Sequence, residues 1–330
     1  MAELDFRLAN EYQRGFPLVP EPYREISARL GCAEAEVLRT LERMSASGAL
    51  SRIGAVLAPR CLGASTLAAL SAPAAELSRI AALVSAHAGV NHNYERSHRL
   101  NLWFVATAED SARLASLLDC IGEETGCAVL SLPLVEEYHI DLGFDMAAGG
   151  APRATRAAPR PLRRIEPEDG ERRLLAALQG GLDLVPRPFA RLGMKSGMSE
   201  ERVLDRLRRW AREGVIKRFG VIVRHRALGY HANAMAVWDV PDERVDAIGA
   251  AAAADGEVTL CYRRARRPPE WPYNLFCMVH GRSRIAVENA IARLRDDQGL
   301  HAFSGAVLFS RRCFKQQGAR YFEAQVRLHG

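Results

Sequence analysis

Apolar residues recur along this chain at two periods. Val203, Leu204, Leu207 and Trp210 fall at helical spacing and predict a helix over residues 199–213. The same pattern predicts helices over 168–180 and 188–195 ahead of it, and over 3–14, 22–30 and 33–47 near the amino terminus. After the third helix of each set a glycine stops the helix and a β-rich run follows, GALSRIGAVLAP and GVIKRFGVIVRH. Three helices and a short β-wing make a winged helix-turn-helix. Beyond the second wing come HANAMAVWDV, ERVDAIGAAAA, EVTLCYRR, YNLFCMVHG, RSRIAVENAIARLRDD and GAVLFSRRCF. Strand, helix, strand, strand, helix, strand is the βαββαβ order of a ferredoxin-like domain.

The chain matches itself. At an offset of 166, Leu18-Val19-Pro20 falls on Leu184-Val185-Pro186, Gly48 on Gly214, Gly54 on Gly220 and Leu62-Gly63 on Leu228-Gly229. The offset grows to 168 where Tyr94 meets Tyr262, 173 where Asn101-Leu102 meets Asn274-Leu275, and 176 where Tyr138 meets Phe314. This is a duplication with small insertions, the largest at PPEWP. Between the copies, DMAAGGAPRATRAAPRPLRRIEPEDG has the Ala, Pro, Gly and Arg content of an extended linker. The expected class is therefore α+β, a tandem duplication. Winged helices are expected at 1–60 and 169–226, ferredoxin-like domains at 61–145 and 227–330, and the linker at 146–168.

At 330 residues, 48% hydrophobic and 25% charged, the chain suits a soluble protein of two or more domains. No apolar run approaches the roughly 18 residues of a membrane helix, and no charged start leads into an apolar signal segment, so a cytoplasmic protein is expected. The seven cysteines are scattered, with no CxxC pair, and predict reduced core thiols. Residues 1–150 carry 12 arginines against 19 acids, net −7, while the rest carries 33 basic against 20 acidic residues, net +13. The basic half should attract an anionic partner, nucleic acid or polycarboxylate.

One ribbon concentrates the chemistry. VNHNYERSHRLNLWFV packs two histidines, a tyrosine and two arginines into a predicted strand and its turn, and LCYRRARRPPEWPYNLFCMVHG is its counterpart. The winged helix and βαββαβ order, with GVIKRFGVIVRHRALG at the junction, resembles the Lrp/AsnC regulators. The paired HNYxR and WPYNLF motifs are similar to the siroheme decarboxylases, Lrp/AsnC-like proteins of two related or fused halves acting in haem d1 and alternative haem synthesis. That resemblance covers nearly the whole chain. It implies removal of two acetate carboxyl groups from siroheme to give 12,18-didecarboxysiroheme, with no dedicated cofactor and with the iron belonging to the substrate.

On a strand, His92, Tyr94 and Arg96 share one face, with His98 next in phase if the strand continues that far, and Asn91, Asn93 and Glu95 take the other. Arginine grips a carboxylate, tyrosine donates to it, and histidine exchanges protons near neutrality. His92 and His98 are thus the candidate acids, and Tyr94 and Arg96 the candidate substrate grip. In the second copy Leu260, Tyr262 and Arg264 take the same face: grip kept, proton donor lost. Arg263, within RRARR, is a further carboxylate candidate, although that run equally reads as a solvated hairpin, and Trp271 could lay its ring against a macrocycle or, as readily, pack into an aromatic core. His225 and Arg226, at the exit of the second wing, are candidates to reach the substrate. His225 or His231 is the candidate ligand to its iron, His231 the weaker of the two, since on an apolar strand it reads better as a core histidine. Without the resemblance, the ribbon reads as an exposed sheet edge with His98 and Arg99 in a hairpin turn.

The competing functions are a DNA-binding regulator and a tetrapyrrole sensor without catalysis. Residues 33–47 carry net −1 and residues 199–212 net +2, whereas a reader of two-fold DNA needs two similar basic helices. DNA is therefore not expected as a partner, nor is a membrane. A homodimer or an intramolecular pseudo-dimer is.

Overall fold

The structure, a computed structural model, describes residues 3–58, 61–140, 164–224 and 229–322. It divides into two compact units, and these sort by domain type rather than by repeat. The first takes in described residues within Met1–Gly63, Ala157–Leu228 and Gly318–Gly330, the second those within Ala64–Arg156 and Gly229–Gln317. Among the described residues no helix is long and apolar enough to cross a membrane.

The first unit holds helices α1 (Glu3–Glu11), α2 (Pro22–Leu30) and α3 (Glu34–Ala46) with strand β1 (Leu50–Leu57), and their repeats α6 (Asp169–Leu178), α7 (Pro188–Ser196) and α8 (Glu200–Arg212) with β6 (Ile216–Val223). Val203, Leu204, Leu207 and Trp210, the stripe read from the sequence, are the buried residues of α8. Among the described residues each copy supplies one wing strand. The two pair with each other, antiparallel, and Gly54 sits opposite Gly220. At Gly220 a side chain is excluded, because a Cβ would stand 2.3 Å from the Tyr12 carbonyl oxygen.

The second unit is a closed eight-stranded barrel in the order β10-β3-β4-β2-β5-β8-β9-β7. The first copy provides β2 (Ala64–Leu70), β3 (Val90–Arg96), β4 (Leu102–Ala108) and β5 (Leu130–Ile140). The second provides β7 (Ala232–Trp238), β8 (Val258–Arg264), β9 (Leu275–Gly281) and β10 (Gly305–Gln316). A lone βαββαβ sheet has two open edges, which invite further pairing. Here the last strand of each copy closes the other's edge, β10 onto β3 and β5 onto β8. The reading of β3 as an exposed edge is corrected: it lies between β4 and β10.

Helices α4 (Leu77–Ala86) and α5 (Ser111–Thr125) cover the outside of the first copy's sheet. Helices α9 (Asp242–Ala253) and α10 (Arg284–Asp297) cover the second's. Strand alternation then sends the other residues inward, where Leu67, Trp103, Met235, Val237, Phe276 and Met278 belong to one buried cluster.

Candidate active site

The two faces of β3 divide structure from chemistry. Asn91, Asn93 and Glu95 turn outward and are bonded within the protein. Asn93 donates from Nδ2 to the Ala81 carbonyl and to Ser85 Oγ on α4, each at 3.0 Å. Glu95 accepts from Arg312 Nε at 2.5 Å. The outward half of this strand's polarity thus ties it to α4 through Asn93, to β4 through Asn91 and to β10 through Glu95.

His92, Tyr94 and Arg96 turn the other way. The rings of His92 and Tyr94 stack with centroids 6.3 Å apart and planes 12° apart, and the Arg96 guanidinium lies 5.8 Å from the Tyr94 centroid. His92 and Tyr94 are half-buried and Arg96 is buried. Arg96 donates from Nη1 to the Leu308 carbonyl at 3.1 Å and approaches Met278 Sδ at 3.8 Å. Burial lowers its pKa, and the phenols of Tyr262 and Tyr94 act in the opposite direction. No carboxylate pairs with it among the described residues. It is a cation held behind two tyrosines.

The second copy repeats the frame without the imidazole. Arg264 lies 4.5 Å from the Tyr262 centroid and donates from Nη1 to the Leu132 carbonyl at 2.7 Å. Leu132 and Leu308 are repeat equivalents, so each arginine reaches the last strand of the other copy. Leu260 stands where His92 does in the first copy.

His98 is not on the strand, which ends at Arg96. Its place in the hairpin turn agrees with the reading made without the family. Leu100 N donates to His98 Nδ1 at 3.1 Å, which leaves Nε2 as the protonated nitrogen of a neutral ring. The ring meets Trp271 edge-on at 5.4 Å. Burial, then the charge of Arg99, holds its pKa below the ordinary 6.5.

Three expectations are corrected. Arg263 points outward, as alternation from Tyr262 demands, and its guanidinium is bound to Asp242 at 2.9 Å and Asp246 at 3.4 Å. Its neighbour Arg266 is likewise held by Asp239 and Asp242, at 2.8 and 2.7 Å, so RRARR is not an open basic patch. Trp271 is fully buried, with Trp103 at 4.9 Å and Tyr273 at 5.0 Å, and packs core rather than offering an open face. Its Nε1 has no hydrogen-bond partner among the described residues. His231 is exposed, one residue before β7 begins, and is not a core histidine. His225 and Arg226 lie outside the described residues. The carbonyl seats of the two arginines carried no sequence signal, because any residue supplies a carbonyl.

A groove of about 520 Å³ in the first unit, lined by Val19, Glu21, Arg24, Glu25 and Arg187 among others, lies away from this chemistry. Its charges are already paired: Arg24 with Glu21 at 3.0 Å, and Arg187 with Glu200.

Comparison with known proteins converges on one group. The AsnC-like ligand binding domain family matches residues 62–139 and 227–315, and the siroheme decarboxylase NirDL-like HTH domain family matches 5–50 and 171–217. The siroheme decarboxylase NirDL subunit of Paracoccus denitrificans is 47% identical over 325 residues, 98% of each chain. The chain belongs to the siroheme decarboxylase family. Among solved structures, the siroheme decarboxylase NirDL in co-complex with an iron-uroporphyrin III analogue is similar at 28% identity and TM-score 0.69, over 97% of this chain and 94% of that one. The NirD subunit of Pseudomonas aeruginosa is 52% identical over 45% of this chain and 99% of its own length. The match spans nearly the whole of that subunit but less than half of this chain, in keeping with the internal repeat.

Proposed function

We propose that this chain decarboxylates siroheme, with His92 delivering the proton and the Tyr94–Arg96 pair holding negative charge on the substrate. Likeness to siroheme decarboxylases over 98% of the chain carries the reaction. The inward face of β3, present with an imidazole in only one copy, supports the residue assignment.

The chemistry needs a positive site and a proton. Breaking the bond between a pyrrole acetate's methylene and its carboxyl group releases CO2 and leaves the electron pair on the methylene, where the macrocycle delocalises it. A proton then adds at that carbon to give a methyl group. Doing this twice yields the didecarboxylated product. Arg96 supplies fixed positive charge from behind Tyr94, stronger there than in water because the group is buried. His92, half-buried beside Tyr94, combines access to solvent with a ring able to carry a proton. His98 suits the role less well, since its pKa is held down and Nδ1 is engaged by Leu100. We assign it to holding the hairpin.

The barrel needs both copies of one chain, so the intramolecular pseudo-dimer is the unit of this proposal. Siroheme supplied anaerobically to the purified protein should release about two CO2 per molecule, one for each of the two acetates in the reaction above. Mass spectrometry should then show a product lacking two carboxyl groups. Siroheme bound but returned unchanged would leave a tetrapyrrole sensor in place of an enzyme.

A further inference from the structure

On the outer layer of the first copy's sheet, three metal-ligating groups converge away from the barrel interior. His87 caps the carboxyl end of α4, where Lys315 Nζ holds its carbonyl at 2.9 Å. Cys120 and Glu124 are one turn apart on α5 and so share a face. Glu124 bridges the other two, with one oxygen 3.0 Å from His87 Nε2 and the other accepting from Cys120 Sγ at 3.2 Å. All three ligand atoms lie within 4.8 Å of one another. Tetrahedral zinc bonds of about 2.0–2.3 Å put ligand atoms roughly 3.3–3.6 Å apart, a contraction within reach of side-chain rotation. The side chains of His87 and Glu124 are 18% and 43% exposed, so an ion and a water can enter.

The second copy serves as an internal control. Its repeat positions hold Asp255, Arg293 and Asp297 in place of His87, Cys120 and Glu124. There Arg293 bonds Glu257 at 2.6 and 2.7 Å, and the charges of Asp255 and Asp297 also act on it. That copy places a permanent cation among carboxylates at the seam between the end of α9 and α10. The first copy has a thiol where the arginine stands, surrounded by neutral and anionic donors of the kind a borderline divalent cation prefers.

We propose that His87, Cys120 and Glu124 bind a divalent cation of the zinc class, tying the end of α4 to α5, with water in the fourth position. The ion takes the thiolate, the neutral imidazole and the carboxylate. The Cys120 proton, which the bond to Glu124 retains on sulfur by raising the thiol pKa, passes to solvent on binding.

The test uses the reduced, metal-stripped, substrate-free full chain titrated with Co2+ and then Zn2+. The expected result is about one Co2+ per chain, with thiolate-to-cobalt charge-transfer absorption that Zn2+ abolishes. Cys120→Ser should remove that absorption, and His87→Ala should weaken binding at least about tenfold. Cys127→Ser should leave it intact. Circular dichroism checks that the Cys120→Ser chain folds, as its partly exposed helical position predicts. Absence of charge transfer in the parent chain, or its persistence in Cys120→Ser, would overturn the proposal. Neither result bears on siroheme turnover, so the proposal stands or falls apart from the catalytic reading.

Discussion

Replacing His92 and His98 one at a time should separate chemistry from folding. The structure gives them different neighbours. His92→Ala loses a proton donor and a ring stack on Tyr94 at 6.3 Å. Loss of a positioned general acid lowers kcat by about 10²–10⁴-fold, or about 2.7–5.5 kcal/mol of barrier. Loss of the stack costs only about 0.5–1 kcal/mol of stability. His98→Ala loses the acceptor for Leu100 N–H, about 0.5–1.5 kcal/mol, and the edge contact with Trp271, about the same again. It should therefore destabilise by about 1–3 kcal/mol while changing kcat less than about tenfold. Product formation under single-turnover, anaerobic conditions at saturating siroheme reports the first quantity, and urea unfolding of the same preparations the second. Turnover by His92→Ala within tenfold of the parent would remove it from catalysis. A dead but equally stable His98→Ala would reverse the two roles.

Further outcomes follow from the same contacts. Arg96→Met and Arg264→Met each leave one strand carbonyl without its donor and should cost about 1–3 kcal/mol in urea unfolding. Only Arg96→Met should also abolish turnover, because Leu260 leaves the second face without a proton donor. Gly220→Ala should destabilise by about 1–3 kcal/mol, since its Cβ would meet the Tyr12 and Gln13 carbonyls. Gly54→Ala should be nearly neutral, its nearest neighbours being 3.6 Å away; similar melting temperatures for the two variants would contradict the packing. His98 has its folded pKa below the unfolded value, so unfolding takes up protons on acidification. Its contribution is complete above 6.5, is lost as pH falls through that value, and levels off below the folded pKa. His98→Asn should flatten the acid side of the stability profile.

Local pattern determined much of this protein. Helical and strand periods, the glycine stops and the self-match set out two copies of a winged helix and a ferredoxin-like domain. Alternation alone put His92, Tyr94 and Arg96 on one face, and it also sends Arg263 outward, away from Tyr262 and Arg264. These properties depend on residues a few positions apart, which is why one sequence reveals them. Partners far apart in the chain were decided only by the tertiary structure. The two wings pair with each other, and β10 covers β3, because open edges are satisfied by whichever strand the fold brings alongside. Arg96 finds the Leu308 carbonyl 212 positions away, and Asp242 and Asp246 neutralise an arginine that composition had counted as available. Trp271 looked equally suited to a ligand platform and to a core, and it was enclosure by Trp103, His98 and Tyr273 that made it core. Burial is a property of what surrounds a side chain, and the surroundings here come from both copies.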